Sequence, residues 1–260
     1  MSQDFLDRYG PAALVTGASS GIGRSFATEL AARGFDLVLA ARRVDRLEEL
    51  ATRLTEEYGV SVTVQAADLA DPADVRALIE TTAAQDIGLV VSNAGFGLKG
   101  PFEADDPAIM SEVVMVNAHA TMMLAHGFVP RLRARGRGGI IFTSSVEGLI
   151  GCPYSAVYSA SKAFVNALGE ALWAELTPGG IEVLTLCPGA TETEAAAKQG
   201  IDPATMTNQQ SPDEVARLAL DNIANGPTYL PHPHYRATFD QLLAMPRREA
   251  LTAMANGMKR

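Results

Sequence analysis

The sequence predicts an α/β fold: a doubly wound, mostly parallel sheet of about seven strands with helices on both faces. Three observations carry this. Short β-branched or leucine-rich runs alternate with longer amphipathic ones, and the alternation opens on a glycine-rich strand-to-helix turn. At 260 residues and 47% hydrophobic composition, the chain can also bury a large core within one domain spanning 1–260.

The elements follow in order. "AALVT" reads as the first strand, followed by a helix at 22–33; "FDLVLAA" is the second, with a helix at 44–58. "SVTVQA" and a helix at 72–84 come next, then "GLVVS" and a long helix at 107–135. "GGIIFTS" precedes a helix at 155–176, and "IEVLTLC" precedes one at 212–225. Each crossover must return the chain to the same sheet, which these helical lengths allow. The segment 190–210 and the tail after 226 are the least regular parts, and no internal repeat, low-complexity tract or linker is visible. In a doubly wound sheet, ligands sit beyond the carboxyl ends of the strands, where such loops shape a pocket.

A net charge of -9 argues against a nucleic-acid partner, which requires a basic face. Cys152 and Cys187 are too few for a disulfide framework. "MSQDFLDRYG" lacks the features of a signal peptide, and no apolar run approaches the roughly 18 residues of a membrane span. These readings predict a cytoplasmic protein with reduced thiols and no membrane partner.

In "LVTGASSGIGRSF", Gly17, Gly21 and Gly23 frame Ser19, Ser20 and Ile22. Glycines permit a tight turn and close backbone approach, and the helix start offers free amides to a pyrophosphate. After the second strand, Ala41 stands where an acidic residue would bind ribose hydroxyls, and Arg42 and Arg43 follow. A guanidinium fork suits a 2′-phosphate, so NADP(H) is expected over NAD. Asp68 and Leu69 close the third strand, where the acid could meet the adenine amine.

Tyr158 and Lys162 are spaced i and i+4 and share one helix face. A neighbouring ammonium favours a phenolate; lowering a phenol by two to three units takes roughly 3 to 4 kcal/mol. Together with "TGASSGIG", "NAG" (Asn93, Ala94, Gly95), Asn117, Ser145 and "PGATET", this spacing resembles the short-chain dehydrogenase/reductase family over roughly 10–230.

The resemblance implies a Rossmann-like oxidoreductase moving a hydride between a nicotinamide and a ketone or secondary alcohol, with Asn117, Ser145, Tyr158 and Lys162 catalytic. Tyr158 would exchange the proton and Ser145 would hold the carbonyl oxygen. Lys162 would bind the ribose, and Asn117 would anchor a water leading to it. Pro188, Gly189, Thr191 and Thr193 would border the nicotinamide, with Thr193 bonding its carboxamide. A homotetramer or homodimer built on the 107–135 and 155–176 helices is also implied. More loosely, the chain resembles the branch with bacterial hydroxysteroid dehydrogenases and broad ketone reductases. A 3-oxoacyl thioester reductase is the alternative enzyme, and a catalytically silent NADP(H) sensor the alternative of another class.

Some residues read ambiguously. Phe96, Pro153 and Glu147 are substrate-side candidates, though Glu147 is expected to point to water. The arginines of "RLRARGR" could receive an acidic carrier but read better as cations at a helix C-terminus. His232 and His234 lack further ligands, so no metal is expected. Leu251, Met254 and Met258 stand at helical spacing, a stripe read as core or subunit contact or as the cap of an apolar pocket, and too narrow to favour a membrane surface.

Overall fold

In the computed structural model, residues 2–198, 202, 204 and 206–258 are described, so the 190–210 loop is described in part and the Met258 side chain lies outside. Seven strands, β1 (Ala12–Thr16), β2 (Asp36–Ala41), β3 (Val62–Ala66), β4 (Ile87–Ser92), β5 (Gly138–Thr143), β6 (Ile181–Leu186) and β7 (Thr228–Tyr229), form one sheet. Their order is β3-β2-β1-β4-β5-β6-β7, and every pairing is parallel. The order reverses between β1 and β4, which opens a crevice at their carboxyl ends.

Strand alternation distributes the core between two faces. Ala13 and Val15 of β1 and Leu37 and Leu39 of β2 join the cluster holding Phe26, Leu30 and Leu47. Those helical residues come from α2 (Gly21–Ala32) and α3 (Val44–Tyr58). Leu14 and Val38 face the other way, toward Leu124, Phe128 and Val165. On that side lie α4 (Pro72–Thr81), α6 (Ala120–Arg135) and α7 (Ala156–Leu176).

Three helices fall outside the sequence-predicted set, α1 (Ser2–Tyr9), α8 (Glu194–Lys198) and α10 (Pro233–Ala244), while α11 (Arg247–Met258) carries the helical spacing of Leu251 and Met254. The aromatic rings of Phe5 and Phe35 meet edge to face at 5.8 Å, anchoring α1. β7 also lies in the tail read as irregular; two residues are too short to show any period. The predicted 212–225 helix stops earlier, as α9 (Pro212–Asp221), with a 3-10 turn after it.

The helix expected at 107–135 is α5 (Pro107–Val114) and α6 joined through a π-helical turn, Met115–His119. By length and composition this stretch could cross a membrane, against the sequence reading. Its buried Val113, Leu124, Phe128 and Leu132 instead make it a core helix of this fold. The arginine run is committed to the fold as well: Arg131 donates to the carbonyl of Ile79 at 2.5 Å, and Arg135 pairs with Asp86.

Candidate active site

β5 ends directly at the chemistry. After Thr143 the chain runs through Ser144 to Ser145, which starts the short turn Val146–Gly148 and accepts a hydrogen bond from the Glu147 amide at 3.1 Å. Ser144 is fixed from both sides, its amide donating to the Leu186 carbonyl and its hydroxyl to the Lys162 carbonyl. The first turns of α7 then bring Tyr158 and Lys162 back over this turn, and the phenol is hydrogen-bonded to the Ser145 hydroxyl. Lys162 is 4% exposed, and its Nζ donates to the Thr143 carbonyl at 2.7 Å while lying 5.8 Å from the Tyr158 ring centre.

Asn117 sits in the π-helical turn, a local widening often found at functional sites. Its Oδ1 accepts from the Phe96 amide at 3.1 Å, and its Nδ2 donates to the Phe96 carbonyl and to Ser161 Oγ, both at 2.9 Å. Asn117 thus clamps the chain just beyond the Asn93–Gly95 motif to α7. Gly95 leaves room for this clamp: a Cβ there would lie 2.9 Å from Asn117 Oδ1 and 3.1 Å from Lys162 Nζ and would push those side chains aside.

Burial dominates the electrostatics here. It pulls the Lys162 ammonium down to about 8. The Tyr158 phenol is raised, first by burial and then by the Glu147 carboxylate, with the Ser145 hydrogen bond opposing. In the protein alone Lys162 does not draw the phenol down; the lowering expected from the sequence requires the lysine together with a bound nicotinamide cation. The ammonium spends its hydrogen bond on Thr143, and desolvation of the phenolate outweighs its charge. A phenol kept protonated suits a proton donor.

At the nucleotide end, Gly17 adopts φ 68°, and a Cβ there would press to 2.9 Å of Ala94 Cα, so the glycine turn and the Asn93–Gly95 strand end pack backbone to backbone. Asn93 fastens this junction, its side-chain amide donating to the Thr16 carbonyl at 3.0 Å. Gly23 and Ile22 begin α2, whose first amides face the crevice without a side-chain cap.

Arg43 forks toward Ser19 Oγ (3.1 and 3.2 Å) and Ser20 Oγ (2.7 Å), and pairs with Glu194 at 3.0 Å. Arg46 holds the other oxygen of Glu194 at 2.6 Å. Arg42 lies 3.9 Å from Asp68, next to the buried Leu69 after β3. The Arg43 guanidinium already engages a carboxylate and gathers two hydroxyls beside it, a set that fits a cofactor phosphate. A polar groove of about 1110 Å³ opens beside it, bounded by α2, α3 and 192–194, away from the catalytic residues.

Beyond β6, Pro188 accepts from the Val146 amide at 3.1 Å, and Gly189 is covered by the Tyr235 ring. Thr191 pairs with Gln210, closing the loop base, and the Thr193 methyl faces Gly21. On the substrate side, Phe96 and Pro153 are half-buried. Glu147 corrects the sequence reading: it is not free in water but paired with Lys99 through both oxygens, at 2.6 and 2.7 Å. Lys99, Arg46, Glu194 and Tyr235 were missed by motif reading; only Lys99, the lone charge in "GFGLKGPF", left a signal. His232 Nδ1 caps α10 by accepting from the His234 amide at 3.0 Å. Among the described residues no cluster of His, Cys, Asp or Glu could hold a metal.

A parallel sheet with a glycine turn at its switch point and a Ser-Tyr-Lys set at the end of β5 defines a nicotinamide-dependent oxidoreductase acting on alcohol and ketone groups. The family model for short chain dehydrogenases matches residues 11–204, and the chain belongs to that family. A 7beta-hydroxysteroid dehydrogenase of Clostridium sardiniense is 30% identical over 96% of this chain and 97% of its own length. A very-long-chain 3-oxoacyl-CoA reductase of Phaeosphaeria nodorum is 34% identical over 68% of this chain, which spans 55% of that relative. Among solved structures, a short-chain dehydrogenase from Sphingobium yanoikuyae in complex with NADPH is 36% identical, with TM-score 0.84 over 94% of this chain and 95% of its own. A bulky-bulky ketone specific alcohol dehydrogenase from Comamonas testosteroni is 34% identical, with TM-score 0.79 over 94% of each chain.

Proposed function

We propose that the protein is an NADP(H)-dependent reductase of bulky, apolar ketones and dehydrogenase of the corresponding secondary alcohols. One observation carries this reading: the tail packs an apolar layer onto the turn that follows Ser145. Val146 and Ile150 pack with Phe239 of α10 and Ala250 of α11, and Leu251 and Met254 cover them. Phe102 and Tyr154 add exposed apolar surface on the neighbouring loops. Such a layer favours a large apolar ligand over a small polar one.

Arg43 with Ser19 and Ser20 would hold the 2′-phosphate, the α2 amides the pyrophosphate, and Lys162 the ribose. When bound, the nicotinamide supplies the hydride for the carbonyl carbon or takes it back from the alcohol. Ser145 fixes the carbonyl oxygen by a hydrogen bond, which strengthens as charge develops there. Tyr158, held protonated by burial, gives its proton to that oxygen in the reductive direction. Asn117 keeps the Phe96 segment, and hence the substrate-side floor, in place.

The likeness to 3-oxoacyl-CoA reductases favours a second reading, a thioester reductase. The test is NADPH and NADH oxidation over steroid ketones, aryl ketones and 3-oxoacyl thioesters. Preferential NADPH use with steroid or aryl ketones supports the proposal; preference for thioesters replaces it with the second reading. A homo-oligomer is also proposed, because Ile109 on α5, Met122 on α6 and Phe164 on α7 leave apolar surface exposed. Light scattering giving a monomer mass would refute it.

A further inference from the structure

The Lys99–Glu147 pair joins two loops that the motifs treat separately. Lys99 lies in the loop after β4 and Glu147 in the turn after β5, 48 residues apart in the chain. Their side chains are 23% and 21% exposed, so most of the water that would screen them is gone. The main chain of Glu147 is fixed: its amide donates to Ser145 Oγ at 3.1 Å, and its carbonyl accepts from Ser159 Oγ at 2.7 Å. The Lys99 loop is tied down too, since the Gly100 amide donates to the Tyr154 carbonyl at 2.9 Å. One carboxylate is thus held inside the turn that Ser145 starts, two residues after the serine whose hydroxyl bonds the Tyr158 phenol.

We propose that Lys99 is a positioning residue for proton exchange at Tyr158: by gripping both oxygens of Glu147 it partly offsets the negative charge held in the turn beside the phenol. This rests on the reading of Tyr158 as the proton-exchanging group. Without Lys99 the carboxylate would act on the phenol with nothing to offset it and oppose loss of its proton more strongly. Without Glu147 the ammonium would be left alone and favour the phenolate.

The other groups facing Tyr158 do not replace this pair. Lys162, on the same helix, is hydrogen-bonded to Thr143. Ser145 contributes a neutral hydroxyl. Cys152 from the following loop and Cys187 at the end of β6 are both pushed up to about 12 by burial, so they remain neutral thiols at working pH. Glu147 is therefore the carboxylate among the groups that act on the phenol.

The test uses the full chain carrying tyrosine labelled with ¹³C at Cζ, saturated with NADP⁺, whose Cζ resonance reports phenolate directly. Tyr158→Phe assigns the signal. Over a titration from about pH 6 to 10.5, Lys99→Met should raise the Tyr158 midpoint by at least about half a unit, threefold in phenolate fraction, and Glu147→Gln should lower it by a similar amount. The double variant should return to the wild-type midpoint, and Lys99→Arg should behave as wild type. If the wild-type signal stays protonated throughout, the Glu147→Gln midpoint must still enter the range.

Equal midpoints in wild type, Lys99→Met and Glu147→Gln, or a double variant no closer to wild type than the singles, would overturn the proposal. A merely structural clasp would change substrate KM and leave the midpoints alone. Full turnover in Tyr158→Phe would instead sink the underlying reading of the site, so the two failures are distinguishable.

Discussion

The two ends of the crevice hold charge in opposite ways. At the nucleotide end the ionisable side chains are paired and wet: Arg42 is 64% exposed, and Glu194, which Arg43 and Arg46 share, is 41% exposed. At the catalytic end the lysine of the Ser-Tyr-Lys set is dry: Lys162 is 4% exposed and its ammonium donates to a backbone carbonyl rather than to a carboxylate. Exposed pairs are worth little and can be exchanged for a ligand's phosphate at small cost. Buried groups have their protonation states set by desolvation, so they act as chemistry rather than as binding. The contrast predicts that substitutions at the dry end destroy turnover and that substitutions at the wet end change cofactor affinity and choice.

The largest effect belongs to Tyr158→Phe. Losing a positioned general acid typically costs 10²- to 10⁴-fold, so kcat for ketone reduction should fall about 10³-fold. NADPH affinity by fluorescence titration should stay within about twofold, because the ring and its packing remain. A variant retaining more than about a tenth of the turnover would break the division between the two ends.

Lys162→Met comes next, and it separates activity from stability. Turnover should collapse, yet the folded state should gain. A lysine whose folded value is about 8 against the ordinary 10.5 costs on the order of 3 kcal/mol at neutral pH, because folding there requires burying the ammonium or giving up its proton. The unfolded chain binds more protons than the folded one between these values, so wild-type stability rises with pH across that window. The advantage of Lys162→Met, reduced by the hydrogen bond lost at Thr143, should therefore be full below about pH 8 and shrink toward 10.5. Urea unfolding at several pH values checks this, and a variant less stable than wild type at pH 7 would contradict it.

The same contrast governs what could be read without a structure. Strands β1 to β6 and helices α2, α3 and α7 were legible because alternation and helical period show wherever an element is long and half or fully buried. β7 has two residues and carries no period, and α1 and α10 are recognisable only once Phe5 meets Phe35 and Phe239 meets Val146. At the site, Ser145, Tyr158 and Lys162 were legible because one turn and one helix fix their spacing. The partners of Glu147 and Glu194 were not, because each lies in another loop, 48 residues away for Lys99 and 151 for Arg43. Side-chain pairing across loops is decided by packing, and local sequence does not encode it. The phenol's raised value was missed for the same reason: adjacency to lysine is visible in a sequence, and burial is not.

At the wet end the strongest expected effect is Arg43→Ala. The guanidinium contacts Ser19, Ser20 and Glu194 together, a fork suited to a phosphate, and charge-assisted bonds of this kind contribute about 1.5 to 3 kcal/mol. NADPH should therefore bind about 10- to 100-fold more weakly, NADH should change by less than about threefold, and kcat at saturation should be preserved. Parallel loss of both cofactors would show that Arg43 holds the loop rather than the phosphate.

Arg42→Ala should produce the smallest change and sharpens the comparison most. Arg42 lies next to Arg43 in the sequence, and from sequence alone the two are equal candidates for the 2′-phosphate. In the structure Arg42 turns the other way, toward Asp68 at 3.9 Å, outside hydrogen-bonding reach and with most of its side chain in water. An exposed pair of that geometry contributes roughly 0 to 1 kcal/mol, and salt screens it further. NADPH affinity should then fall by less than about fivefold, and the difference from wild type should narrow as ionic strength rises from about 0.05 to 0.5 M. If Arg42→Ala instead matches Arg43→Ala in its loss of NADPH and its sparing of NADH, then both arginines reach the phosphate, and Arg42 must leave Asp68 when the cofactor binds.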